Sequence, residues 1–234
     1  MKYPVLIAAA LVATAAPAYA QDVSGFRIEG RAAWEQTGAK ATIPNPDFDE
    51  DDDESGPEFL TATDDDSAIA YGVELGYDLQ VGPGLVIGAY AGAELSDSRV
   101  CNQLIEDDLA CSDLKRTFTA GARVGVPLGE SSLIYAKGGY SNGKFDVAYD
   151  PDITDNDDEE PGDTYGFSKS RGGYHVGAGV EVGLSQGLYG KLEYVYTDYG
   201  KGSYLLDDGV TGADPSVSIA SDRHQVSVGM GLRF

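Results

Sequence analysis

Apolar side chains recur at every second position over much of this chain. In the final stretch HQVSVGMGLRF, His224, Val226, Val228, Met230, Leu232 and Phe234 share one parity, and Gln225, Ser227, Gly229, Gly231 and Arg233 share the other. Period-two alternation describes a strand with one apolar face and one small or polar face. The same pattern runs through 26–35, 69–79, 85–94, 118–126, 134–140, 174–184 and 188–196. With the terminal segment this predicts eight strands, an even number. No long segment carries a helical apolar stripe.

The connections alternate in size. Short turns of Gly, Pro and Ser fall at 80–84, 127–132 and 185–187, and long connections at about 36–67, 97–114, 149–165 and 201–220. Turn chemistry of that kind suits tight reversals. The fold expected is all-β: an eight-stranded, antiparallel, up-and-down transmembrane β-barrel, with short turns at one end and long loops at the other. Hydrocarbon then covers the apolar face, and pairing of the first strand with the last leaves no open edge. Aromatic residues form two tiers, with Phe26, Tyr77 and Phe234 near the short-turn end and Trp34, Tyr71, Phe118 and Tyr196 near the long-loop end. Such girdles mark the two membrane interfaces.

The first twenty residues change the setting. Lys2 precedes the apolar run VLIAAALVATAA, and Ala18-Tyr19-Ala20 forms an A-x-A cleavage site. This reads as a secretory signal peptide over 1–20, leaving 21–234 as one barrel domain. Export places Cys101 and Cys111 in an oxidising compartment, where a disulfide between them would staple a small loop. A metal site is the rival reading, and no histidine adjoins either cysteine.

The signal peptide, the eight-strand meander and the ending Val-Gly-Met-Gly-Leu-Arg-Phe resemble the small outer-membrane β-barrel family of opacity and OmpA-like proteins. That resemblance implies the outer membrane of a Gram-negative bacterium as location, and outer-membrane lipid and lipopolysaccharide as surroundings. It also implies that Val228, Met230, Leu232 and Phe234 form the signal read by the barrel-assembly machinery. No peptidoglycan-binding domain is expected to follow, and no cofactor is expected.

Charge divides by region. The formal charge is −23, or −24 once Lys2 is removed. The four long connections carry −10, −4, −8 and −2, which is all of it, and strands with short turns are neutral. By parity Arg27, Arg31, Arg123, Lys137, Arg171, Lys191, Arg223 and Arg233 point into the barrel, as do Glu29, Glu35, Glu74, Asp78, Glu94, Glu181 and Glu193. An eight-stranded barrel has room for side chains and little else. These groups should pair into a plug, and a small cation-preferring channel is the alternative.

The acidic connections raise the question of metal. Asp47, Asp49, Asp51 and Glu58 have EF-hand-like spacing, but Asp52 replaces the required glycine and Asp53 adds repulsion. Asp155, Asp157 and Asp158 in the third connection have no better geometry. Weak, diffuse divalent-cation binding is expected, without a specific site. Nucleic acid is disfavoured by repulsion. Catalysis would have to use His175, in mid-strand facing the lumen, or His224, near Ser221, Asp222 and Ser227. The close His-x-Ser arrangement of barrel deacylases is missing, and a non-enzymatic protein is expected.

Overall fold

The computed structural model describes residues 23–44, 59–102, 109–129, 131–150, 165–205 and 216–234. Eight strands follow in chain order: β1 (Gly25–Pro44), β2 (Phe59–Gln80), β3 (Val86–Asn102), β4 (Leu109–Leu128), β5 (Ser132–Asp150), β6 (Tyr165–Ser185), β7 (Leu188–Leu205) and β8 (Ser216–Arg233). Each pairs antiparallel with its successor, and β8 pairs with β1 to close the barrel.

The sequence alternation sets the register. Ile28 lies opposite Leu75 and Leu232, and Trp34 opposite Ile69 and Val226, so apolar residues meet row by row on the outer face. A slip of one residue would turn the charged set outward. Val228 is 59% exposed and Met230 57%, whereas Ser227, next to Val228, and its register partner Glu193 are buried inside. The large exposed apolar surface is what a bilayer covers. Phe26, Tyr77 and Phe234 stand at the short-turn rim, and Trp34, Tyr71, Phe118, Tyr140, Tyr174 and Tyr194 at the other.

The strands outrun the sequence reading. They span 17 to 22 residues, whereas about 9–11 tilted residues cross a bilayer. Much of the connections expected at 36–67 and 97–114 is therefore ladder, as are 201–205 with 216–220, whereas of 149–165 only 149, 150 and 165 lie among the described residues. Pairing continues from Gln36↔Ser67 to Pro44↔Phe59 in β1–β2, and from Lys144↔Ser170 to Tyr149↔Tyr165 in β5–β6. The reason is physical: above the lipid the outward face becomes polar, so the alternation fades while the backbone ladder persists. Tight turns do close the opposite end, with left-handed glycines at Gly129 (φ 68°) and Gly187 (φ 78°).

Inside, two apolar layers bracket the charges. Val23, Val86, Leu133 and Tyr135 fill the short-turn end, and Leu114, Phe145 and Tyr199 the other.

Candidate functional site

The lumen holds one connected ion-pair network. At the short-turn end Arg123 donates to both oxygens of Asp78 at 2.8 and 2.5 Å and to Glu181 at 2.5 Å. Arg233 joins the same pair, 2.7 Å from Glu181 and 3.3 Å from Asp78. Arg27 leads upward, at 3.5 Å from Asp78, 2.8 Å from Glu74 and 3.0 Å from Glu29. Lys191 and the Tyr189 hydroxyl also donate to Glu29. Lys137 donates to Glu74 at 2.7 Å, and Arg31 lies within 3.3 Å of Glu74, Glu94 and Glu193. Arg223 then ties Glu94 to Glu35 at 3.1 and 3.3 Å, where Ser96 and Gln225 add donors.

Every carboxylate named by parity is thus buried and has at least two donors. That matters because a buried charge left unpaired costs several kcal/mol, roughly 3–5 when one partner of a pair is removed. Arg171 is placed higher, donating to the Gly200 carbonyl at 2.7 Å with its guanidinium 5.9 Å from the Phe145 ring. Glycines make room for the long side chains. A Cβ at Gly76 would lie 2.5 Å from Arg27 Nε, and one at Gly231 would lie 2.3 Å from the Tyr189 ring.

Four links cross the barrel. Lys137 of β5 meets Glu74 of β2, and the Tyr90 hydroxyl of β3 lies 2.5 Å from His175 Nε2 of β6. Arg223 of β8 meets Glu94 of β3, and Thr117 Oγ1 of β4 lies 3.3 Å from the Tyr199 hydroxyl of β7. Each joins strands three places apart in a ring of eight. The roles of Tyr90, Tyr135, Tyr189 and Tyr199 were missed in the sequence, although their inward parity was readable there.

The histidines are separated. His175 is buried between Tyr90 and Ser141, whose Oγ lies 2.8 Å from Nδ1. His224 faces outward at the upper rim, 2.7 Å from the Tyr194 hydroxyl and 3.4 Å from Asp222. Ser221 and Ser227 point inward, away from His224, so its serine neighbours do not share its face, whereas Asp222 does.

Cys101 and Cys111 are register partners on β3 and β4, joined by a disulfide with Cα atoms 4.0 Å apart. Val228, Met230, Leu232 and Phe234 form one exposed outward column. Asp47, Asp49, Asp51, Asp53, Glu58, Asp155, Asp157 and Asp158 lie outside the described residues. Among the described residues, no group of three or more potential ligands could hold a metal ion.

A closed barrel with an apolar band outside and paired charges within defines an outer-membrane β-barrel protein. Residues 6–234 match the model of the outer membrane protein beta-barrel domain, and the chain belongs to that family. It is 29% identical over 226 residues to the 31 kDa outer-membrane immunogenic protein of Brucella melitensis, covering 94% of this chain and 88% of the relative. Over 72 residues, 31% of each chain, it is 42% identical to a 22 kDa outer membrane protein of Rhizobium leguminosarum bv. viciae. Among solved structures it is similar to Ail of Yersinia pestis at 15% identity and a TM-score of 0.39, covering 88% of this chain and 99% of that one. The protein resides in the outer membrane of a Gram-negative bacterium.

Proposed function

We propose that the protein is a closed structural barrel of the outer membrane, serving envelope integrity and surface contact and carrying out no catalysis. The observation that supports this most is the bridging of the lumen by four links between strands three places apart in the ring, two of them buried ion pairs and two hydrogen bonds. A solute would have to break buried ion pairs to pass. The acidic segments at the extracellular end act as the contact surface. They bind calcium or magnesium weakly and collectively, and through those ions approach the phosphates of lipopolysaccharide. The Brucella relative is named an immunogenic protein, which fits a surface role. Insertion by the assembly machinery would read the column from Val228 to Phe234.

Purified barrel in a planar bilayer is the test. No steady conductance is expected. Stable, large, cation-selective unitary currents would replace this reading with the channel. Altered lipid A or phospholipid acyl patterns on His224→Ala would replace it with an enzyme.

A further inference from the structure

Outside the lumen, every Lys and Arg among the described residues lies above the outer aromatic girdle. On the wall of β4 and β5 they concentrate. Arg116 and Lys144 are register partners, one directly across from the other. The ladder shifts between Leu114 and Arg116, so Lys115 is the extra residue of a bulge. Leu114 turns into the lumen, and Lys115 and Arg116 are both exposed, side by side in sequence. Arg99 of β3 joins them through Asp113 of β4, its register partner.

Like charges directly opposite on one sheet face are destabilising. Asp113 lies 3.6 Å from Arg99 and 3.7 Å from Lys115, and Asp146 lies 3.6 Å from Lys144. The Asp66 carboxylate also approaches Arg99, accepting from its backbone N–H at 3.0 Å. Among the described residues none of the ion pairs involves Arg116, whose guanidinium stands 5.3 Å from the Phe118 ring centre. Around Asp113 the bases are the better presented: the Arg99 side chain is 59% exposed and Lys115 45%, against 16% for Asp113, whereas Lys144 and Asp146 are equal at 36%. Asp146 is engaged by the Ser168 hydroxyl at 2.5 Å, and that bond, with Lys144 and Lys115 nearby, holds its carboxyl below the usual carboxylate range.

Height identifies what meets this patch. Phe118 and Tyr140 mark the membrane interface on β4 and β5, two and four residues below Arg116 and Lys144. At roughly 3.3 Å per residue along a tilted strand, the cations project about 5–10 Å above the hydrocarbon boundary. That is the headgroup layer of the outer leaflet. Guanidinium and ammonium groups with free N–H bonds suit phosphate oxygens, with arginine able to grip two at once.

We propose that Arg116, Lys144 and Lys115, with Arg99 at the edge, form a docking site for a phosphorylated lipopolysaccharide headgroup, contacted directly and without a bridging cation. The site rests on the outer-membrane location and not on the closed-lumen reading.

The test uses the full mature chain refolded into phosphatidylcholine vesicles in EDTA, with intact lipopolysaccharide, dephosphorylated lipopolysaccharide or phosphatidylglycerol added. The readout is the temperature at which the folded band on an unboiled gel converts to the unfolded one. Intact lipopolysaccharide should raise it, and the other two should not. Lys115→Gln/Arg116→Gln/Lys144→Gln should raise the half-saturating concentration at least about tenfold, at about 1 kcal/mol per base near an anionic surface. Lys40→Gln/Lys201→Gln, on another wall, should leave it unchanged. Asp113→Asn/Asp146→Asn should lower it, which keeps the proposal open to test if the triple variant folds poorly. Equal response of the triple variant and the parent chain overturns the site, as does stabilisation by the dephosphorylated form or by phosphatidylglycerol. No gain in the Asp double variant also overturns it.

Discussion

The backbone N–H of Phe234 donates to the carbonyl of Phe26 at 2.8 Å. The last side chain of the alternating column is thereby fixed on the first strand, at the short-turn rim where both rings face outward. Gly25 makes this contact possible. Its φ is 124°, and a Cβ there would lie 2.0 Å from the Phe234 carbonyl oxygen. Gly25→Val therefore meets both a strained backbone and a clash. It should destabilise the barrel by about 1–3 kcal/mol, read as a lowered urea midpoint in vesicles. An unchanged midpoint would show that the rim relaxes freely.

Arg123 carries the short-turn half of the lumen, since it serves Asp78 and Glu181 together. Arg123→Met leaves both buried acids relying on Arg233 and Arg27, and should cost about 3–5 kcal/mol. Adding Asp78→Asn and Glu181→Gln to that variant should deepen the loss, because Arg233 then keeps neither of the acids it pairs with. Urea titration of the single and triple variants checks this. A triple variant more stable than the single would contradict it.

The two faces were legible in the sequence for one reason. Where lipid lies outside and paired charges inside, every residue must declare a side, so Glu74 and Leu75 or Lys191 and Leu192 alternate sharply. Above the girdle that contrast ends. Lys40, Thr42 and Thr61 are polar residues on a solvated ladder, and nothing in their pattern separates strand from loop. The charge row at Arg116 and Lys144 escaped notice for a related reason. Its cations are 28 residues apart and adjoin only through register, and a bulge brings Lys115 out beside them. Likewise Tyr90 and His175 are alternating residues until the barrel closes and brings them within bonding distance.

The disulfide sits on the extracellular extension, above the bilayer-spanning ladder. Cys101 and Cys111 face each other on β3 and β4 near the end of the described hairpin arms. By loop entropy such a link contributes about 2–3 kcal/mol, and it acts on the part of the sheet above the aromatic girdle. Reduction should therefore leave the folded gel band intact while amide exchange at Val100 and Ser112 accelerates. Collapse of the folded band on reduction would mean that the extension is required for the barrel as a whole.

The outward column of β8 gives a test graded by depth. Trp34 and Val226 share a row at the upper interface, and Phe26 and Phe234 stand at the lower one, so Val228 and Met230 fall between the girdles. An arginine there must bring its charge into hydrocarbon, at about 2–4 kcal/mol near the midplane, falling to about 0–1 at the interfaces. Val228→Arg and Met230→Arg should each shift the folding equilibrium in vesicles by the larger amount. Val226→Arg, one row higher beside the Tyr194 and His224 cluster, should cost the smaller amount, since its guanidinium can reach the headgroups. Equal costs at the three positions would mean that the bilayer does not sit between the two aromatic tiers.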